Sequence, residues 1–172
     1  MRQGMTHIYT GDGKGKTTAA CGLILRALGH GMNVVLVRFM KPDDSGEISV
    51  LQKLANIKII SFGRRGWVSE DNARAEDRQQ AKLALQEIKL AMADSTVDMV
   101  VADELCTAVY LGLLEEAEVL RLMKQRPAQQ ELVITGHHAG KEMISKADLV
   151  TNMQTIKHPY QQGVGAREGI EY

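Results

Sequence analysis

The stretch Thr10-Gly11-Asp12-Gly13-Lys14-Gly15-Lys16-Thr17-Thr18 restricts this chain more than any other. It lies between a short apolar run, His7-Ile8-Tyr9, and an Ala- and Leu-rich segment over Thr17–Leu28 that reads as a helix. Glycines let backbone N–H groups approach a triphosphate without Cβ clashes. The N-terminus of the following helix adds partial positive charge. Lys16 supplies a full charge, and the Thr17 hydroxyl is placed to bind Mg²⁺. Gly11, Asp12, Gly13, Lys14, Gly15, Lys16, Thr17 and Thr18 are therefore the expected phosphate-binding residues. One position departs from G-x-x-x-x-G-K-[ST]: Thr10 stands where the first glycine would be.

The rest of the chain repeats the strand–helix alternation. Further apolar runs are Val34–Phe39, Ile57–Phe62, Met99–Ala102, Leu132–Thr135 and Leu149–Ile156. Near-continuous runs such as VVLV suit strands covered on both faces, as in a parallel sheet. Ala81, Leu85, Ile88 and Met92 mark the apolar face of a helix over Ala73–Ala93, and Glu115–Lys124 reads as another, ending before Pro127. The first helix is expected to stop at Gly29. The expectation is an α/β fold of the P-loop NTPase-like kind, a three-layer sandwich with a mostly parallel sheet of about six strands and right-handed crossovers. One domain over residues 1–172 is expected from the length. The polar stretches Lys41–Glu47 and Gly63–Asn72 each follow a strand C-terminus, the edge where open α/β sheets bind ligands. The Lys157–Tyr172 tail is expected to lie over the surface.

A second acidic motif belongs with the loop. In Val100-Val101-Ala102-Asp103-Glu104 an apolar run ends in two carboxylates, the position from which strand-end acids act on Mg²⁺. Thr17, Asp103 and Glu104 are the expected metal residues, and Lys16, Thr17 and Glu104 the expected catalytic ones.

Composition excludes more than it assigns. Lys plus Arg and Asp plus Glu are 21 each, so no basic excess points to nucleic acid. The two cysteines, Cys21 and Cys106, form no disulfide framework or zinc motif. No stretch approaches the roughly 20 apolar residues of a membrane span, and the N-terminus has no signal-peptide run. A cytoplasmic protein, without nucleic-acid or membrane partners, is expected.

Gly11-Asp12-Gly13-Lys14-Gly15-Lys16-Thr17-Thr18-Ala19-Ala20, Asp103-Glu104-Leu105, Lys157-His158-Pro159-Tyr160 and the closing Gly169-Ile170-Glu171-Tyr172 resemble, in order and separation, the P-loop ATP:corrinoid adenosyltransferases. Arg26–Gly31, Phe39-Met40-Lys41 and Gly46-Glu47 add weaker matches. The resemblance implies transfer of the 5′-deoxyadenosyl group of ATP to cobalt(I) of cobalamin or a precursor, with release of triphosphate, in adenosylcobalamin biosynthesis or salvage. It implies ATP in the phosphate loop, Mg²⁺ or Mn²⁺ as cofactor, a reduced flavoprotein as electron donor, and a homodimer. It also implies that Trp67, in the Gly63–Asn72 loop, removes the lower axial ligand of cobalt(II), and that His158 and Tyr160 either contact the corrinoid or pin the tail.

The sequence departs from the family at several points. Arg65 stands where a family member has Phe, two positions before Trp67, and Phe62 lies five back. His137, in Thr135-Gly136-His137-His138, stands where the family commonly has a phosphate-binding Arg. The sequence begins a few residues before its first strand, so the N-terminal arm of some relatives is expected to be absent. Another P-loop NTPase or kinase, and an ATP-switched corrinoid carrier, are the alternative readings.

Overall fold

A computed structural model describes residues 3–41, 45–64, 66 and 68–171. Its strands are β1 (Thr6–Thr10), β2 (Val34–Arg38), β3 (Ile57–Ser61), β4 (Met99–Asp103), β5 (Glu131–Thr135) and β6 (Leu149–Asn152). The helices between them are α1 (Lys16–Gly29), α2 (Gly46–Leu51), α3 (Ala75–Ala93), α4 (Leu105–Tyr110), α5 (Glu116–Gln125) and α6 (Lys141–Lys146). A 3₁₀ turn, Pro159–Gln162, lies in the tail. The strands form one sheet in the order β3-β2-β4-β5-β1-β6, with every pair parallel.

The layers follow from the sequence pattern. All five residues of β2 and all five of β4 are buried, because both faces of the sheet are covered. On one face Val34, Leu36, Met99, Val101 and Val133 pack against Ala20, Ile24 and Ala27 of α1 and Ile48 and Leu51 of α2. On the other, Val35, Val37, Val100, Ala102, Leu132 and Ile134 pack against Ala81, Leu85, Ile88 and Met92 of α3 and Val119 and Leu122 of α5. Each fully buried Leu or Ile contributes roughly 1.5–3 kcal/mol. The side on which each helix lies is set by handedness. The connections β1–α1–β2 and β2–α2–β3 step one way along the sheet and lie on the first face. Those from β3 onward step back the other way and lie on the second, as uniformly right-handed crossovers require.

Three expected boundaries are corrected. The last strand stops at Asn152 rather than Ile156, because Met153 turns onto the glycine-rich loop: its N–H donates to Thr10 O at 2.8 Å and its carbonyl accepts from Gly13 N at 2.7 Å. The polar stretch after β2 gives way to α2 already at Gly46. Helix α1 includes Gly29 and closes at His30, whose N–H donates to Ala27 O.

The topology brings the ends of β1, β2, β4 and β5 to one edge. From β1 the chain must cross β5 and β4 to reach β2. This opens the crevice at the strand C-termini where α/β proteins bind ligands.

Candidate active site

The glycine-rich loop needs its glycines for two reasons. Gly11 and Gly15 have φ of 98° and 115°, a region that disfavours side chains. A Cβ on Gly11 would lie 2.3 Å from Met153 O, and one on Gly13 2.8 Å from the same atom. The β6 exit therefore packs into the loop. It also takes up the Gly13 N–H, which is thus committed to the protein rather than open to a ligand. Thr10, the departure from the motif, is buried, and its hydroxyl accepts from Ala139 N at 3.1 Å. A glycine there could not tie the Gly136–Gly140 loop to the phosphate loop. Lys16 is buried and donates to Gly11 O at 2.6 Å and Gly13 O at 2.8 Å, curled into its own loop. Burial pushes its ammonium below the ordinary lysine value, with Glu104 and Asp12 opposing the shift.

Asp103, at the end of β4, is the hub of the site. Its side chain is 1% exposed. Oδ1 accepts from Thr17 Oγ1 at 2.9 Å and from Thr135 Oγ1 at 2.7 Å, and Oδ2 accepts from Lys41 Nζ at 2.9 Å. Lys41 Nζ also donates to Thr17 Oγ1 at 3.0 Å and lies 3.5 Å from Glu104 Oε1. Segments following β1, β2, β4 and β5 thus meet around one carboxylate. Burial alone would push Asp103 up, but Lys41, Thr135 and Thr17 outweigh it and hold the carboxyl below its ordinary value. Burial would likewise lower Lys41, yet Asp103 and Glu104 hold it above the ordinary lysine value. Both groups are charged at neutral pH.

Backbone strain collects around this hub. Met40, Glu104 and His138, which follow β2, β4 and β5, have φ of 55°, 66° and 54°. Left-handed backbone costs a non-glycine residue roughly 1–2 kcal/mol. Such strain gathers where a structure fixes side chains for function. Glu104 is held by a donated hydrogen bond from Thr107 Oγ1 to its carboxylate and by one from its own N–H to Thr135 Oγ1 at 2.9 Å. Gly136 has φ of 137°, and a Cβ there would lie 2.6 Å from Thr107 N. That close approach lets His137 N donate to Thr107 Oγ1 at 2.8 Å. His137 Nδ1 lies 4.0 Å from Asp12 Oδ1. Burial and nearby Lys16 push the imidazole below its ordinary value, so it is neutral at pH 7 in this state.

Comparison with known proteins places the chain in a family. The family model for ATP:corrinoid adenosyltransferase BtuR/CobO/CobP matches residues 2–172. The chain belongs to this family. It is 37% identical over 171 residues to the corrinoid adenosyltransferase of Pseudomonas aeruginosa, covering 99% of this chain and 84% of that protein. It is 36% identical over 172 residues to the corrinoid adenosyltransferase of Escherichia coli K12, covering 99% of this chain and 86% of the relative. The same figures hold for the corrinoid adenosyltransferase CobA of Salmonella typhimurium.

Among the residues expected from the sequence, Lys16, Thr17, Asp103 and Glu104 come together. Gly11, Gly13 and Gly15 form the loop beside them, and Asp12 and Thr18 lie exposed along it. Trp67 and Arg65 lie outside the described residues. Phe62 packs against the core beyond β3, and its N–H donates to Arg38 O. His158 caps the 3₁₀ turn, Nδ1 accepting from Tyr160 N at 3.1 Å, whereas Tyr160 is 75% exposed. Both cysteine thiols are pushed up to about 12, chiefly by burial, so neither is a nucleophile. Lys41, only a weak match to the family in the sequence, is a site residue that motif spacing does not reveal. Its place two residues after Phe39, past a buried strand end, was the available signal.

The tail closes over Lys14. Lys14 Nζ donates to Ile170 O at 2.9 Å and to Glu171 Oε1 at 2.8 Å, while Arg167 holds the same carboxylate at 3.1 Å. Hydrogen bonds from Arg167, then from Lys14, lower the Glu171 carboxyl to about 2. The clamp should thus be fully formed above the unfolded glutamate value of about 4.3 and be lost as pH falls toward about 2. A carbon-detected NMR titration should place Glu171 in that low range, and Arg167→Ala should move it up toward the ordinary value. An ordinary glutamate titration in the unaltered protein would mean that the clamp does not persist in solution.

Proposed function

We infer that the chain transfers the 5′-deoxyadenosyl group of ATP to the cobalt of a reduced corrinoid and releases triphosphate. The observation that carries this reading is the family match across residues 2–172. The site chemistry supports it. Cobalt(I) brings its own electron pair, so a cobalt–carbon bond forms as the C5′–oxygen bond breaks and that bonding pair leaves on triphosphate. No protein nucleophile or general base is required. The protein has to orient C5′ and to stabilise the leaving charge. Lys16 and the loop from Gly11 to Thr18 would hold the triphosphate.

Thr17, Asp103 and Glu104 form an all-oxygen donor set of the kind that suits Mg²⁺ or Mn²⁺, which usually combine one or two carboxylates with phosphate and water. The presence of the Lys41 ammonium among those oxygens supports the fit, since it marks the spot as one where a cation is stable. When bound, the divalent ion would neutralise charge on the triphosphate. His137, neutral and beside Asp12, would offer a hydrogen bond where the family's arginine offers a charge. Trp67 would displace the lower axial ligand of cobalt(II), with His158 and Tyr160 toward the corrinoid. A reduced flavoprotein donor, a homodimer and a cytoplasmic setting complete the proposal. Among the described residues no helix is long and apolar enough to cross a membrane.

An anaerobic assay with MgATP and chemically reduced cob(I)alamin tests the reading. Light-sensitive adenosylcobalamin with stoichiometric triphosphate is expected. ADP without alkylation would assign the loop to another NTPase or a kinase, and neither product would point to a carrier.

A further inference from the structure

We propose that the Lys41 ammonium is the resting occupant of the divalent-cation subsite and must be displaced before the metal ion enters. This rests on the assignment of Thr17, Asp103 and Glu104 as the metal-binding set. Lys41 Nζ contacts that whole set: Thr17 Oγ1 at 3.0 Å, Asp103 Oδ2 at 2.9 Å and Glu104 Oε1 at 3.5 Å. An ammonium in those positions occupies the lone pairs that a metal would take, and its charge repels a second cation at contact distance. The two occupants are therefore mutually exclusive.

The geometry shows why a lysine rests there. Asp103 is sealed from water, and a buried carboxylate without a counter-charge is costly. Thr17 and Thr135 donate to Oδ1 only, so Oδ2 depends on a cation. Arg38, the nearest other cation, keeps Nε 4.0 Å from Oδ2 and spends its Nη2 on Ser45 at 3.0 Å. Lys41 is suited to leave as well as to stay. It is partly exposed, with 27% of its side chain open against 16% for Glu104 and 1% for Asp103, on a flexible stem whose rotation needs no backbone change. It follows Met40, whose φ of 55° is left-handed, and its own N–H donates to Phe62 O at 3.2 Å, which holds the backbone there. A displaced ammonium would remain beside the triphosphate site that Thr17 borders.

The arrangement would make metal entry depend on nucleotide. Without ATP, the divalent ion must compete with a tethered ammonium for the acidic pair. With ATP bound, the phosphates offer Lys41 a new partner and the metal extra ligands, so both costs fall together. The protein would then bind free divalent ions poorly and the nucleotide-bound ion well.

Mn²⁺ binding to the nucleotide-free protein, read from loss of the free-ion EPR signal, tests this without corrinoid or turnover. Lys41→Met should bind Mn²⁺ at least about 10-fold tighter than the unaltered protein, as removal of a direct competitor requires. Adding Asp103→Asn to Lys41→Met should abolish the gain, which places the ion at this hub. If Lys41→Met is poorly folded without metal, its melting temperature should rise with Mn²⁺ far more than that of the unaltered protein. Equal affinities and equal melting shifts would overturn the proposal, as would a gain indifferent to Asp103→Asn. The cob(I)alamin assay run on the unaltered protein separates the two readings. Adenosylation with no Mn²⁺ difference sinks only the role of Lys41, and a Mn²⁺ difference without adenosylation sinks only the reaction.

Discussion

Asp103→Asn should lower the melting temperature by about 6–12 °C at pH 7, taking about 3 kcal/mol of lost stability and about 2–4 °C per kcal/mol at this chain length. The substitution keeps the shape and can keep one acceptor for Thr17 and Thr135. Its amide, however, sets an N–H donor against the Lys41 ammonium, where a carboxylate oxygen now accepts at 2.9 Å. Breaking a buried ion pair by removing one partner costs about 3–5 kcal/mol. The lower end applies because Lys41 remains partly exposed and has Glu104 at 3.5 Å as a second partner. The pH dependence has a definite sign. The folded carboxyl sits below its unfolded value of about 3.9. Its contribution is therefore complete above that value and disappears as pH falls through the depressed folded one. The gap between the two proteins should be full at pH 7 and shrink below about pH 4. Indistinguishable melting curves at pH 7 would mean that Asp103 is not the electrostatic centre of the strand ends.

The fold was legible because β2 and β4 are apolar up to their last residues, Arg38 and Asp103, which only a strand covered on both faces tolerates. Helix α3 announced itself through apolar spacing, and α1 through its Ala- and Leu-rich composition. The short helices α2, α4 and α6 did not, since six residues give too little period to read. Their ends are set by tertiary contact instead. Helix α4 starts from the left-handed Glu104, pinned by Thr135 on a neighbouring strand. Residues 153–156 carried the composition of a strand, yet the chain leaves the sheet at Met153 to bond the glycine-rich loop. Local preference cannot foresee a partner so far away in sequence.

The site was legible in its chemistry and not in its wiring. Lys16, Thr17 and Asp103 follow from motif spacing. That Lys41 sits among them follows from the pairing of β2 with β4, which sets Arg38 beside Asp103 and delivers the next residues to the same edge. Thr135 joins through the pairing of β4 with β5. Thr10 looked like a defect in the motif, but its hydroxyl holds Ala139. The glycines at positions 11 and 13 looked like provision for a ligand, and the contacts with Met153 show that the protein itself also requires them.

Lys16→Met should weaken MgATP binding by at least about 100-fold in calorimetry while leaving the fold intact. In the free protein the Lys16 ammonium is solvated by two neutral carbonyls, Gly11 O at 2.6 Å and Gly13 O at 2.8 Å. Burial pulls it below the ordinary lysine value, so the charge is poorly accommodated there. A triphosphate reverses that balance, because charge-assisted hydrogen bonds are roughly twice as strong as those to neutral acceptors. Exchanging two carbonyl bonds for phosphate bonds should favour binding by about 3 kcal/mol, which is about 100-fold at 1.4 kcal/mol per decade. The methionine retains the stem and fills the same space, so the remaining penalty is two carbonyls short of a donor, about 1–2 kcal/mol in stability. Stability and affinity should therefore separate: a small fall in melting temperature without nucleotide, and near-complete loss of the rise that ATP confers on the unaltered protein. Affinity within a factor of about 3 of the unaltered protein would correspond to less than about 1 kcal/mol. It would remove Lys16 from the triphosphate and shift that task to Lys14 and Lys41, the other ammonium groups that border the loop.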